Sequence, residues 1–264
     1  MATVKEVYQY LDGKAPFYSQ LGFDNAGFLV GRADKPVHRI LVALDITEQV
    51  AKEAAEIQAD LIVSHHPVIW EGAKSVTDET ILGRKLLALI SNDIAAVCAH
   101  TNLDAAAGGV NDSLAATLGL QDTQLLKTYG AYADGTPFGI ELIGTLPGEA
   151  VALVEFAALV KEKLGANGVR FVDAGRPVHK VAVGGGSCSS SLKDVFAAGC
   201  DTFVTADIKY DSFLDAKALG LNLIDAGHYP TENVVCPVLV SWLKEGFPDV
   251  EVILSAHKEV FNYL

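Results

Sequence analysis

Basic residues are scarce in this chain. It has 33 Asp and Glu against 20 Lys and Arg, a formal net charge of −13, and no run of Lys or Arg. Nucleic acid and anionic membrane surfaces both demand a positive field, so the acidic charge argues against non-specific binding to either and leaves a nucleic-acid partner unsupported by charge. Cysteine is sparse too. Cys98, Cys188, Cys200 and Cys236 are widely spaced and form no CxxC pair. That argues against a zinc ribbon or a compact disulfide framework and points to reduced thiols. No apolar run approaches the roughly 20 residues that cross a bilayer. Met1 to Phe17 carries an amphipathic helix pattern (Val4, Val7, Tyr8, Leu11) in place of a signal peptide. A soluble, cytoplasmic protein is expected. Half of the 264 residues are hydrophobic, enough for a sizeable core in one large domain or two ordinary ones.

The chain is organised around Asp60-Leu61-Ile62-Val63-Ser64-His65-His66-Pro67. It reads as a buried strand that empties into two adjacent histidines. Inside a strand neighbouring side chains point to opposite faces, but past its carboxyl end both can serve one site. Ligands of open α/β sheets collect at such strand ends. Strands are expected at Arg39–Leu44 and Ile94–Ala99, with intervening helices, the first capped by Thr47 and the second opening at Thr77 or Asp78. Strand alternating with helix is the pattern of a parallel sheet with right-handed crossovers. Tyr129–Pro137, rich in Gly, Asp and Pro, is the expected linker. Strand–helix units then resume, with strands near Phe138–Gly144, Val169–Val172, Lys180, Thr202–Thr205, Leu221–Ile224 and Val250–Leu254.

The two halves run in similar order. Val42-Ala43-Leu44-Asp45 resembles Val181-Ala182-Val183-Gly184, and Ala59–His66 resembles Cys200–Asp207. Cys98-Ala99-His100 with Asp104 resembles Ala226-Gly227-His228 with Glu232. Two copies of a supersecondary unit would explain this. The fold class expected is α/β, two α/β domains related as a degenerate duplication. The expected bounds are 1–125 plus about 226–264 for a metal-binding domain and 126–225 for the second, with the site between them.

The candidate ligands His65, His66, His100, Asp104, His228 and Glu232 all follow strands, and all are expected in turns. Such a mixed N/O set suits zinc, iron, manganese or nickel. The set exceeds the three ligands that one catalytic zinc takes from protein, so two divalent ions fit better. No HExxH motif is present.

Ser64-His65-His66-Pro67, Ala99-His100-Thr101-Asn102-Leu103-Asp104, Thr205-Ala206-Asp207-Ile208-Lys209-Tyr210 and Asp225-Ala226-Gly227-His228-Tyr229-Pro230-Thr231-Glu232 together resemble the Nif-three-like family of dinuclear metal centre proteins, the GTP cyclohydrolase 1 type 2 homologues. The resemblance covers essentially the whole chain. It implies the Nif-three-like fold, a toroidal homohexamer, and His65, His66, Asp104, His228 and Glu232 as ligands of two metal ions. His100 matches a family histidine close to the metals and is a candidate proton shuttle. The implied activity is a dinuclear-metal-dependent hydrolase of GTP cyclohydrolase type 2 kind, a bridging hydroxide attacking the purine ring of a small-molecule substrate, GTP by family name. The alternatives are hydrolysis of a phosphoester or amide, and a non-enzymatic metal-binding or regulatory ring scaffold that binds a protein or nucleic acid.

Other residues have two readings each. Asp45 is a helix-start carboxylate or a partner to a metal-bound histidine. Gly184-Gly185-Gly186-Ser187 is a tight turn or a phosphate cradle. Lys209 is a surface lysine or a phosphate contact. Trp70 and Tyr229 are packing residues or platforms for a base.

Overall fold

The computed structural model describes residues 2–264. The first elements are α1 (Val4–Lys14), β1 (Gly27–Val30), β2 (Arg39–Ala43), α2 (Glu48–Glu56), β3 (Leu61–Ser64), α3 (Ile81–Ser91), β4 (Ala95–Cys98) and α4 (Thr101–Ala105). Next come α5 (Val110–Thr117), β5 (Gln121–Leu125), β6 (Gly130–Ala131), β7 (Pro137–Phe138), β8 (Leu142–Thr145), α6 (Leu153–Leu164), β9 (Arg170–Val172) and β10 (Lys180–Val183). The chain closes with α7 (Leu192–Ala197), β11 (Thr202–Thr205), α8 (Tyr210–Leu219), β12 (Asn222–Asp225), α9 (His228–Asn233), α10 (Cys236–Gly246) and β13 (Glu251–Leu254). The helices begin where polar caps permit. Thr47 Oγ1 accepts from Val50 N–H ahead of α2, and Thr80 caps α3, a little later than expected. None of the helices is long and apolar enough to cross a membrane, among the described residues.

Two compact units emerge, Met1–Ala107 with Cys236–Lys258, and Gly108–Val235 with Glu259–Leu264. The first holds a five-stranded sheet ordered β1-β4-β3-β2-β13. Its strands are parallel apart from β1, which runs antiparallel to β4. Leu41 and Ile62 pack against Val50, Ala51 and Ala54 of α2 and Leu86 and Leu89 of α3. The second unit holds a six-stranded sheet ordered β5-β8-β10-β11-β12-β9. Here β10, β11 and β12 are parallel, and the flanking strands are antiparallel. Val181 and Val183 face α6 through Phe156 and Val160. Ala182, between them, faces Leu192 and Val195 of α7. That is strand alternation with both faces covered.

The duplication is visible in the register. Three parallel strands with an antiparallel edge recur in both units, β2-β3-β4 with β1 and β10-β11-β12 with β9. Asp60 Oδ2 accepts from His38 N–H and Arg39 N–H. Asp201 Oδ2 accepts from His179 N–H and Lys180 N–H in the same way. Ile40 pairs with Leu61 and Val181 with Thr202, so Val181 corresponds to Ile40, two positions before the Val42 that sequence similarity suggested.

Two sequence expectations are displaced, and one strand was not expected. Residues 108–125, 226–235 and 259–264 belong with the second unit, not the first. Leu114, Leu118 and Leu120 are buried in the same core as Leu142 and Phe156, which fixes that boundary. The supposed linker is a hairpin, β6 paired with β7. Its Gly and Asp make the turn, with Gly135 at φ +86°, and Tyr132 packs on Phe138 at 5.0 Å between ring centroids. Finally, β5 is a largely exposed edge strand of mostly polar residues, so no apolar alternation announces it.

Candidate metal-ligand clusters

In the first unit three histidines converge. β3 is buried along its whole length, and the backbone beyond it stays tied to β2. His65 N–H donates to Ala43 O and His66 N–H to Leu44 O. Ser64 Oγ donates to the His66 carbonyl at 2.8 Å. The next strand, β4, ends at Cys98, and Ala99 N–H donates to Ser64 O before the chain turns at His100 into α4. Ring centroids lie 4.9 Å apart for His65–His66, 5.1 Å for His65–His100 and 5.4 Å for His66–His100. One ring nitrogen from each lies within 4.8 Å of the others. Asp104, on α4, brings Oδ1 to 3.6 Å from His65 Nε2. Both side chains are buried.

Each of these rings has its Nδ1 on an acceptor. His65 Nδ1 meets the Ala99 carbonyl at 2.9 Å. A carbonyl only accepts, so this nitrogen carries the proton and Nε2 presents its lone pair. His66 Nδ1 meets Asp45 Oδ1 at 2.8 Å, and His100 Nδ1 meets Asp24 Oδ1 at 2.8 Å. Asp45 is therefore the partner of a candidate ligand, while the cap of α2 is Thr47. Asp24 also accepts from the backbone N–H and the hydroxyl of Thr101. Burial alone would raise the Asp24 carboxyl. The His100 hydrogen bond and charge, together with Thr101, override burial and hold it at about 2.

The second unit carries the other pair. A turn at Gly227 (φ +86°) leads from β12 into α9. His228 and Glu232 stand one helical turn apart, with Nε2 3.0 Å from Oε2. His228 Nδ1 meets Asp207 Oδ2 at 2.7 Å. Donation to that carboxylate leaves Nε2 facing a second carboxylate, an approach that requires a cation or a shared proton between them. The Gly184–Gly186 turn closes on this pair. A Cβ on Gly186 would overlap Glu232 Oε1 and lie 3.1 Å from His228 Nε2. The turn's amides are already committed, Gly185 N–H to Asn111 Oδ1, Gly186 N–H to Thr231 Oγ1 and Cys188 N–H to Thr205 Oγ1. It is a tight turn shaped around Glu232, not a phosphate cradle. Lys209 is exposed beside α8.

Asp104, His228 and Glu232 were expected in turns, but they lie on α4 and α9. The His-x-x-x-carboxylate spacing is a helical one in both units. Sequence reasoning gave no role to Asp24 or Asp207. Asp24 stands in 22–31, where Asp, Asn and three glycines read as a turn, either structural or lining a site. Asp207 had one signal, a carboxylate just past the end of β11, as the candidate ligands lie just past theirs. The four cysteines form no disulfide; Cys98, Cys200 and Cys236 are buried.

Comparison with known proteins bears on this arrangement. Residues 2–259 match the family model of Duf34/NIF3, NGG1p interacting factor 3. A Clostridium perfringens protein named GTP cyclohydrolase 1 type 2 homolog is 35% identical, covering 99% of both chains. A Streptomyces coelicolor protein of the same name is 36% identical over 93% of this chain and 87% of its own. Among solved structures, a Bacillus cereus protein related to NIF3 superposes with a TM-score of 0.93 at 26% identity over 100% of both chains. A hypothetical protein of Staphylococcus aureus gives 0.91 at 30% identity over 99% of both chains.

Proposed function

The chain belongs to the Duf34/NIF3 family, and on that premise we propose that it is a hydrolase of purine nucleotides whose His65, His66, Asp104, His228 and Glu232 hold two divalent metal ions. One observation carries the reading. His65, His66 and His228 each donate Nδ1–H to a fixed acceptor, Ala99 O, Asp45 or Asp207. That bond fixes each ring's orientation and leaves Nε2 as its coordinating nitrogen, which is how metal-binding histidines are oriented. Asp104 and Glu232 add buried carboxylate oxygens beside two of those nitrogens. Three imidazoles and two carboxylates are more than one catalytic zinc takes, and they suit zinc, iron, manganese or nickel.

Bound divalent ions supply Lewis acidity and lower the pKa of water to near neutrality. The chain's own contribution is orientation and proton handling. His100 has its Nδ1 on Asp24, a bond that fixes the ring and leaves Nε2 as the nitrogen to exchange a proton with a departing nitrogen. The purine nucleotide comes from the relatives, whose name is GTP cyclohydrolase 1 type 2 homolog.

The test is elemental analysis of protein purified without chelator, followed by incubation of metal-loaded protein with GTP and mass spectrometry of the product. About two metal equivalents and a ring-opened product are expected. Glu232→Ala should lose metal and turnover together, whereas His100→Gln should keep the metal and lose turnover. A firm stoichiometry of one or none would refute the dinuclear reading. Two equivalents with no turnover would support a metal-binding scaffold instead.

A further inference from the structure

Two large aromatic side chains in the first unit are exposed where burial would be favourable, Phe23 at 66% and Trp70 at 51%. They are not scattered. Their rings are 6.2 Å apart, and the Trp70 ring stands 5.4 Å from the His100 ring at 83°. The turn that carries Phe23 fixes this wall with three successive side chains. Phe23 meets Trp70, Asp24 holds His100 and Thr101, and Asn25 Nδ2 donates to the Ile69 carbonyl at 2.7 Å. Trp70 is thus tied, through the Ile69 carbonyl, to Asn25, the chain neighbour of the Asp24 that orients His100. Exposed aromatic surface held at a fixed place beside a cluster of functional side chains is the mark of a binding surface.

Charge decides what binds there. No Lys or Arg occurs in 17–31, in 60–73 or in 94–107, the three segments that build the wall and the histidine cluster. The wall itself therefore offers a phosphate no basic side chain, while a flat, uncharged ring gains from its aromatic face. We propose that Trp70, backed by Phe23, is the stacking platform for the heteroaromatic base of the substrate, which places the ring to be opened next to His100. This rests on the purine-nucleotide reading above and adds the residue that recognises the base. Stacking is tolerant of the base's identity, because every base has a π-face. The platform therefore selects for a planar ring, and polar contacts elsewhere choose among purines.

Trp70 and Trp242 are the only tryptophans. In zinc-loaded Trp242→Phe protein, Trp70 alone reports. GTP should quench its emission saturably, and inorganic tripolyphosphate, which has no ring, should not. By equilibrium dialysis, Trp70→Ala should weaken GTP binding roughly 5- to 150-fold, and Trp70→Phe should restore most of it. Unaltered zinc content in both variants shows that the ligand set is intact. GTP binding with no change in emission and no loss in Trp70→Ala would overturn the platform and leave the purine reading standing. Failure of the zinc-loaded protein to bind GTP at all would overturn both. A blue-shifted emission that reddens on dilution, before any ligand is added, would put a second copy of the chain on Trp70 and also overturn the platform.

Discussion

Asp207 reaches His228 from a left-handed backbone. Its φ is +52°, and its Oδ2 lies 2.7 Å from His228 Nδ1. Asp tolerates this region better than most residues, but it still costs free energy. The turn between β11 and α8 keeps the conformation, and the carboxylate on the imidazole is what it achieves. Asp45 does the same for His66 without a positive φ.

The first prediction follows. Asp207→Ala and Asp45→Ala each remove the acceptor that fixes an imidazole without removing a ligand. Each should lower zinc affinity about 10- to 100-fold. Asp104→Ala and Glu232→Ala remove donor atoms and should lose more. Competition titrations against a chromophoric chelator measure all four. Equal losses from the two classes would contradict the separation of ligands from positioning residues.

A second prediction concerns Gly186. It combines a positive φ of +62° with a Cβ direction that overlaps Glu232 Oε1. Gly199 has a comparable φ of +74° and open space around it. The pair separates backbone strain from steric intrusion. Both Gly→Ala variants should lose about 1 kcal/mol of stability to strain. Only Gly186→Ala should also lose bound metal, because the methyl displaces the carboxylate. Thermal melts with metal analysis decide it, and retention of full metal by Gly186→Ala would count against Glu232 as a ligand.

How much of this was legible differs from residue to residue. His65-His66-Pro67 could be read because a buried apolar strand ends in two imidazoles, which no packing requirement explains. His228 and Glu232 could be read from their place after a strand, yet their helix could not, since Pro230 and Gly227 look like turn residues. The pairing of Asp24 with His100 and of Asp207 with His228 could not be read, because it depends on which distant histidine each carboxylate meets. The duplication was legible in outline and misaligned by two residues at β2 and β10. Valines and alanines repeat too freely there, and the marker that fixes the frame is the Asp60 and Asp201 carboxylate on paired backbone amides. The hairpin at 130–138 was mistaken for a linker because turn chemistry and linker composition draw on the same residues.

Asp60 supplies a prediction about acid. Burial pushes its carboxyl up, but the His38 and Arg39 amides and the Lys35 ammonium outweigh burial and hold it below the usual 3.8. A carboxyl depressed in the folded state is protonated more readily in the unfolded chain. Its contribution is therefore full above about pH 4 and disappears as pH falls through the lower folded value. Asp60→Asn should cost about 1 kcal/mol near neutral pH. The gap from wild type should close on acidification. Urea melts between pH 7 and pH 3 test this, and a gap that widened toward low pH would reverse the sign and refute it.

The last prediction is the assembly implied by the family resemblance, a homohexamer. The surface gives it a physical motive. Along α3, Ile81 is 66% exposed and Ile90 59%, with Leu87 at 37%. Leu87 and Ile90 are three residues apart and so share a helix face. On α8, Leu214 is 53% exposed and Tyr210 78%, again on one face. Single exposed aliphatics need no explanation, but paired ones on two separate helices suit surfaces that other copies cover. A closed homo-oligomer must obey point-group symmetry, and six copies can do so as two stacked trimers. Each contact needs roughly 800 Å² per partner to persist at micromolar concentration. Light scattering should give a mass near six times 27.9 kDa, independent of dilution through that range. Ile90→Asp, which puts a charge on the α3 face while leaving the buried side chains untouched, should lower that mass without unfolding the subunit. A wild-type monomer would refute the ring. A hexamer indifferent to Ile90→Asp would move the contact away from α3.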